Sequence, residues 1–259
     1  MKLGFIGMGN MASALLRGFL ASGKVRATDV CAYDPNSEKL SAMASELGIT
    51  ALSSERAVAT SADMVIMACK PCHVEGALDA MGDALSGKAL LSIALGFDHA
   101  KYATLLADDV RVQFVMPNTP AMVGAGMFLF EKTTTFEEEE LAFAREIFSA
   151  IGVVETIPTN LMGIGGALSG CGPAFVDLFI EAFADAGVRY GMPRDKALLL
   201  VSQTLMGAAK LQKETGLHPG VLKDMVCSPG GSTIRGVAAL EQNCFRGSAI
   251  AAIEAIMEQ

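Results

Sequence analysis

The chain has 259 residues, 51% of them hydrophobic and 19% charged, with a formal net charge of −8. That length fits one large domain or two ordinary ones, and the composition supplies a sizeable core and excludes a disordered chain. The acidic balance and the lack of any basic block argue against a nucleic-acid or anionic-membrane surface.

Six cysteines, Cys31, Cys69, Cys72, Cys171, Cys227 and Cys244, show neither a zinc spacing nor the density of a disulfide scaffold. Cys69-Lys70-Pro71-Cys72 spells C-x-x-C and reads as two unrelated core or loop thiols. Reduced thiols suit a cytoplasmic protein. The N-terminus lacks a charged region followed by a cleavable apolar run. No apolar stretch of about 18 residues is free of charges or turn residues, so a soluble, unexported protein is expected.

Through about residue 155, short apolar runs alternate with amphipathic ones. The runs fall at Leu3–Ile6, Val30–Tyr33, 64–69, 89–94, 110–116 and 127–130, with helical spacing at 11–19, 38–47 and 141–150. Alternation of this kind predicts βαβ units and a parallel sheet covered on both faces. The first unit, "LGFIGMGNMASALLRGF", is a strand entering a glycine turn and then a helix. Gly7, Gly9 and Ala12 give the G-x-G-x-x-A dinucleotide fingerprint. Gly7 serves the tight turn, Gly9 the close approach to a pyrophosphate, and Ala12 the helix–strand packing.

In "CAYDPNSEK", Asp34 ends the second strand, where a carboxylate would hold a ribose 2′-hydroxyl and repel a 2′-phosphate. Asn36, Ser37 and Lys39 follow and could contact such a phosphate, so the lean toward NADH is slight. "VIMACKP" ends a strand at Lys70-Pro71, and "VQFVMPNTP" ends another at Asn118 and Thr119. Ligands of open α/β sheets bind at this carboxyl side of the strands. "FEEEELAF" reads as the acidic first turn of a helix.

From about Thr159 onward the β-branched runs stop and helical periods take over. Phe175, Leu178, Phe179, Ala182, Phe183 and Ala186 share one face. Pro193 marks a helix start and Gly216 lies just past its end. These segments are too apolar for a stand-alone bundle, which points to burial against a second subunit. Near the end, "CSPGGSTIRG" breaks the helical pattern with a turn that presents backbone N–H groups at the start of the next helix, an arrangement suited to an anion. His73, His99 and His218 are widely separated and read as structural or surface groups. No metal site is indicated.

Taken together and in order, "GFIGMGNMA", "ALSGCGPAF", "GMPRDKA", "MGAAKL" and "HPGVLKDMVCSPGGSTI" resemble the pyrroline-5-carboxylate reductases, the enzymes of the last step of proline synthesis. The resemblance spans nearly the whole chain. It implies an α/β Rossmann-type domain at 1–158 that carries NADPH or NADH, and an all-α domain at 159–259 that interlocks with a second copy and binds the imine. A homodimer or a higher oligomer follows.

Carried over, the cofactor contacts fall on Ile6, Gly7, Met8, Gly9, Asn10, Met11, Ala68, Cys69, Lys70, Pro71, Ala94 and Leu95, with Asn118 beside the nicotinamide. The substrate loop falls on Ser228, Gly230, Gly231, Ser232 and Thr233. Its amides grip the carboxylate, and Thr233, the expected catalytic residue, reaches the ring nitrogen. The imine is already an electrophile, so the implied reaction needs neither metal nor covalent intermediate; the proton comes from Thr233 or from water.

Cys171 and Phe175 depart from the family's usual Ser and Tyr. Asp34 and Glu55 add negative charge near the 2′ position, again leaning toward NADH. A β-hydroxyacid dehydrogenase, the nearest rival, would need a lysine base, and "GIGGALSGCGPAFVDLF" has none. A non-catalytic cofactor-binding regulator would be expected to lose the substrate loop, and "SPGGST" is intact.

Overall fold

Short, almost wholly apolar runs suit strands covered on both faces, and three of the first strands are buried along their whole length. These are β1 (Leu3–Ile6), β4 (Met64–Met67) and β5 (Ala89–Ser92). With β2 (Val30–Tyr33), β3 (Thr50–Ala51), β6 (Arg111–Met116), β7 (Gly126–Glu131) and β8 (Gly152–Ile157) they form one sheet of order β3-β2-β1-β4-β5-β6-β7-β8. The computed structural model describes residues 1–258 and divides into two compact units, Met1–Cys171 and Gly172–Gln259.

In the first unit the intervening helices are α1 (Asn10–Ala21), α2 (Ser37–Leu47), α3 (Glu55–Ser61), α4 (Val74–Met81), α5 (His99–Ala103) and α6 (Glu138–Ser149). One core layer gathers Phe5, Leu15, Phe19, Phe128, Phe130 and Phe148, and the Phe148 ring meets Phe19 edge-on at 5.1 Å and Phe128 at 4.9 Å. The opposite layer packs Val58, Val65, Met67, Val74, Met81 and Tyr102.

The acidic run begins α6 as expected. Glu137 caps the helix in a reciprocal box with Glu140, and three glutamates occupy the positive end of the helix dipole. Two features differ from the sequence expectation. β7 runs antiparallel to β6, because the short connection 117–125 cannot make a parallel crossover, which needs a dozen or more residues. β3 and β8 add edge strands beyond the six apolar runs.

A short α7 (Met162–Gly166) passes into a π-helical turn, Ala167–Cys171, still within the first unit. Met162 packs there on Phe114, Met116 and Leu129. The compact units therefore meet at Cys171, twelve residues beyond the change in sequence pattern at Thr159.

The second unit is helical: α8 (Gly172–Arg189), α9 (Arg194–Thr215), α10 (Pro219–Met225), α11 (Ser232–Gln242) and α12 (Phe245–Met257). Pro193 caps α9, and Gly216 ends it in the left-handed conformation with φ 65°. Phe179 stacks on Phe183 at 4.2 Å and meets Phe245 edge-on at 6.3 Å. Even so, Ala184 is the one buried residue of α8 and Ala197 that of α9, while α10, α11 and α12 have none. Helices this apolar do not enclose a core of their own in one chain. The helical stretch Thr159–Arg189 is long and apolar enough, by length and composition, to span a bilayer.

Candidate active site

β1 lies between β2 and β4, so the sheet's strand order reverses at β1/β4, where open α/β sheets bind ligands. Gly7 leaves β1 with φ 89°, and its N–H donates to the Tyr33 carbonyl at 2.8 Å. A Cβ at Gly7 would sit 2.9 Å from the backbone of Cys69. Only glycine meets both demands. The loop 6–11 is thereby laid against the Ala68–Cys69 backbone, so two of the predicted cofactor segments share one edge.

Gly9 has open space where a Cβ would be, and it begins α1 without any side-chain cap or acidic residue in the first turn. The amides of Asn10, Met11 and Ala12 thus point outward from a positive helix end, a fit for a pyrophosphate.

Asp34 stands one residue past β2. Its Oδ2 accepts from the Met8 N–H at 2.7 Å and its Oδ1 from the Asn36 N–H at 2.9 Å. The carboxylate therefore faces the glycine loop and clamps it, in addition to any contact with a ribose. Glu55 opens α3, whose cap is Ser54. Burial pushes the Cys69 thiol up to about 11, and the charges of Cys72 and Glu55 add to the rise. A thiol held that high is protonated at neutral pH and is no redox nucleophile. Lys70 and Pro71 are exposed at the next turn.

At the end of β5, Ala94 is buried and Leu95 exposed. Ser92 Oγ accepts from the Ala94 N–H at 3.1 Å and from the Tyr102 hydroxyl at 2.7 Å, and both Ser92 and Tyr102 are fully buried. This pair, absent from the sequence reading, fixes the Ala94–Leu95 turn. Burial drives the Tyr102 hydroxyl well above its usual range, the Ser92 bond opposing it only in part, so it serves as a neutral donor.

Glu131, also missed, is buried without a cationic partner among the described residues. It accepts from the His99 N–H at 2.9 Å and the Thr159 hydroxyl at 2.6 Å. A buried carboxylate needs such partners, but they come from distant segments and leave no local signal. Asn118 is buried at the end of β6, accepting from the Met127 N–H at 2.8 Å and donating to the Ser169 carbonyl at 3.0 Å.

The second unit carries the other predicted cluster. Gly230 takes φ 70°, and the Gly231 N–H donates to the Ser228 carbonyl at 3.0 Å, closing a turn immediately before α11. A Cβ on Gly231 would collide with the Ser228 hydroxyl and lie 3.2 Å from its carbonyl oxygen. Gly231 is the helix N-cap, no side chain caps α11, and its first turn has no acidic residue. Ser232 and Thr233 are exposed on that turn. Backbone N–H groups, a positive dipole end and two hydroxyls make a cradle for a carboxylate.

Among the described residues no cluster of metal-ligating side chains occurs. His218 caps α10, its Nδ1 accepting from the Gly220 N–H at 3.0 Å.

A glycine loop at the switch point of a twisted sheet, followed by a helical domain, defines an oxidoreductase of the Rossmann-plus-helical class. Residues 2–96 match the family profile "NADP oxidoreductase coenzyme F420-dependent", and residues 159–259 match "Pyrroline-5-carboxylate reductase dimerisation". Along its whole length the chain is 41% identical to the pyrroline-5-carboxylate reductase of Escherichia coli, covering 96% of that protein. Against the Treponema pallidum pyrroline-5-carboxylate reductase identity is 39%, covering 99% of each chain. The crystal structure of Plasmodium falciparum pyrroline carboxylate reductase with NADP bound superposes with a TM-score of 0.90 at 33% identity, covering 100% of this chain and 96% of that one. The chain belongs to the pyrroline-5-carboxylate reductase family.

Proposed function

We infer that this protein reduces 1-pyrroline-5-carboxylate to L-proline with NADH or NADPH. The observation that carries the specificity for this substrate is the uncapped start of α11 behind the "SPGG" turn. There the chain offers amides to a small carboxylate instead of a side-chain cap. When bound, the reduced nicotinamide supplies the hydride that goes to the imine carbon. The residues that would hold it are Ile6, Gly7, Met8, Gly9, Asn10, Met11, Asp34, Glu55, Ala68, Cys69, Lys70, Pro71, Ala94 and Leu95, with Asn118 lying beside the nicotinamide.

Ser228, Gly230, Gly231, Ser232 and Thr233 bind the substrate. Within the 230–233 stretch the Gly231 N–H is held by the Ser228 carbonyl, so the Gly230, Ser232 and Thr233 amides take the carboxylate, and the Thr233 hydroxyl orients the ring nitrogen. Reduction of an activated imine asks mainly for positioning and electrostatics, and no group with a base's role is needed. The division into a coenzyme domain at 1–158 and a dimerisation and substrate domain at 159–259 belongs to this reading, as do an interlocked homodimer and a cytoplasmic setting without nucleic-acid or membrane partners. The charged Asp177, Glu181 and Asp185 along α8 favour a protein partner over lipid for its apolar face.

Steady-state turnover of purified protein with 1-pyrroline-5-carboxylate and with 1-pyrroline, which lacks the carboxylate, tests this. A kcat/KM at least roughly tenfold higher for the carboxylate, the size of one hydrogen bond to a charged group, is expected. Equal turnover of the two would refute it.

A further inference from the structure

We propose that Asn118 is a positioning residue. It holds the π-helical turn Ala167–Cys171 against the carboxyl end of β6, and so sets the wall of the site beside the reactive end of the coenzyme. The proposal rests on the reductase reading above and assigns Asn118 a role other than a coenzyme contact.

The motif "SGCGP" supplies the cause. In a regular α-helix the carbonyl of Ser169 would accept from the N–H four residues on, and that residue is Pro173, which has none. The proline ring also disfavours a carbonyl in the i−4 position, so Ser169 is left with an unserved acceptor. The chain meets this with the wider π-helical turn, and Asn118 Nδ2 donates to the Ser169 carbonyl at 3.0 Å.

The other end of the same carboxamide is also occupied. Oδ1 accepts from the Met127 N–H at 2.8 Å, at the start of β7, and the side chain is buried. One amide thus ties three segments: the end of β6, the beginning of β7 and the turn. With both of its ends committed to protein, one N–H and one Oδ1 lone pair remain for anything else.

The helix α7 that leads into the turn is also pressed onto the sheet. A Cβ at Gly166 would lie 2.5 Å from Met116 Sδ, and one at Gly165 would lie 2.7 Å from Leu129 Cδ1. The Ser169 hydroxyl donates to the Gly165 carbonyl at 2.8 Å and ties the turn to α7. π-turns of this kind commonly mark functional sites.

A cycle of Asn118→Asp, Pro173→Ala and the double variant tests the proposal. Asp keeps the acceptor for Met127 and turns an acceptor toward the Ser169 carbonyl. Asn118→Asp is expected to lower kcat with the imine by about tenfold to a hundredfold, as misplacement of about 1 Å can. The dissociation constant for reduced coenzyme should stay within about twofold. Its melting temperature should fall by roughly 3–8 °C. Pro173→Ala restores an N–H for Ser169, so the double variant should regain much of that temperature while kcat stays low, since the turn is no longer pinned to β6.

Recovery of kcat together with stability would overturn the proposal, leaving Asn118 a purely structural role. Coenzyme binding that weakens in step with kcat would also overturn it, by making Asn118 a coenzyme contact. The thermal cycle needs no substrate. If the two substitutions proved additive in melting temperature, the Asn118–Ser169 link would be refuted whichever imine the wild-type protein reduces, whereas a wild-type protein that bound coenzyme and left the imine untouched would refute the reductase reading.

Discussion

The carboxylate of Asp34 accepts a hydrogen bond from the backbone N–H of Met8 across 2.7 Å, joining the end of β2 to the middle of the glycine loop. One residue thus has two effects on the coenzyme, a clamp on the loop and a negative charge near the expected 2′ position. Substitutions separate them. Asp34→Ala removes both acceptors and should weaken NADH and NADPH alike by roughly tenfold or more. Asp34→Ser keeps one acceptor and removes the charge, so the ratio of kcat/KM for NADPH over NADH should rise about tenfold. A ratio unchanged in the Ser variant would leave Asp34 a clamp alone.

In the wild-type protein, NADH should serve at least comparably to NADPH, since Asp34 and Glu55 both disfavour a dianion. Steady-state kinetics with both coenzymes check this. A roughly hundredfold advantage for NADPH would contradict the charge account and direct attention to Lys39, exposed on the first turn of α2.

The helical unit predicts assembly. Leu178, Leu199 and Leu200 are 64%, 61% and 54% exposed in the single chain, a cost that a second copy would remove. Light scattering at micromolar concentration should find no monomer, and Leu178→Glu should shift the population toward monomer with loss of imine turnover. A fully active wild-type monomer would contradict this.

The pair Arg111–Glu140 gives a pH-dependent stability. Nη2 and Nε of Arg111 reach the carboxylate at 2.7 and 2.9 Å, and the Glu137 N–H reaches it at 3.0 Å. Burial pushes Glu140 up from its ordinary value of 4.5, but the Arg111 hydrogen bonds, the Glu137 N–H and the Arg111 charge outweigh it, and the net direction is down. A value lower folded than unfolded means the contribution is complete above pH 4.5 and is lost as pH falls through the depressed folded value. Glu140→Gln should cost about 1–3 kcal/mol at neutral pH. Its melting temperature should fall less steeply than that of wild type as pH drops from about 6 to about 3.5, and parallel curves would contradict the assignment.

Much of the fold was legible because its signals are local. The strand–glycine–helix run at 3–19, the acidic start of α6, and the Pro193 and Gly216 boundaries of α9 are each written within one segment. What escaped was non-local or short. β3 has two residues, too few to show a period, and the half-exposed β8 lacks the apolar density of a central strand. The antiparallel β7 was available from the shortness of 117–125, a length argument that apolar patterning does not make. Asp34–Met8, Ser92–Tyr102, Glu131–Thr159 and Asn118–Ser169 pair side chains with groups 10 to 51 residues away, and such pairs exist only once the sheet has formed. The residues of the proposed site could nonetheless be named from the sequence, because they sit at strand ends and at one uncapped helix start, where residue type and position are linked.

In the proposed function the 228–233 turn binds the imine and the glycine loop binds the coenzyme. The most direct test is Thr233→Ala, assayed for imine kinetics and, separately, for coenzyme binding. Losing a hydrogen bond to a charged group costs about 1.5–3 kcal/mol, roughly a ten- to hundredfold fall in kcat/KM for 1-pyrroline-5-carboxylate. Coenzyme affinity should barely change, and Gly231→Val should be worse than Thr233→Ala, because a Cβ there collides with Ser228. Imine kinetics left intact by Thr233→Ala, or coenzyme binding weakened as much as turnover, would contradict the account.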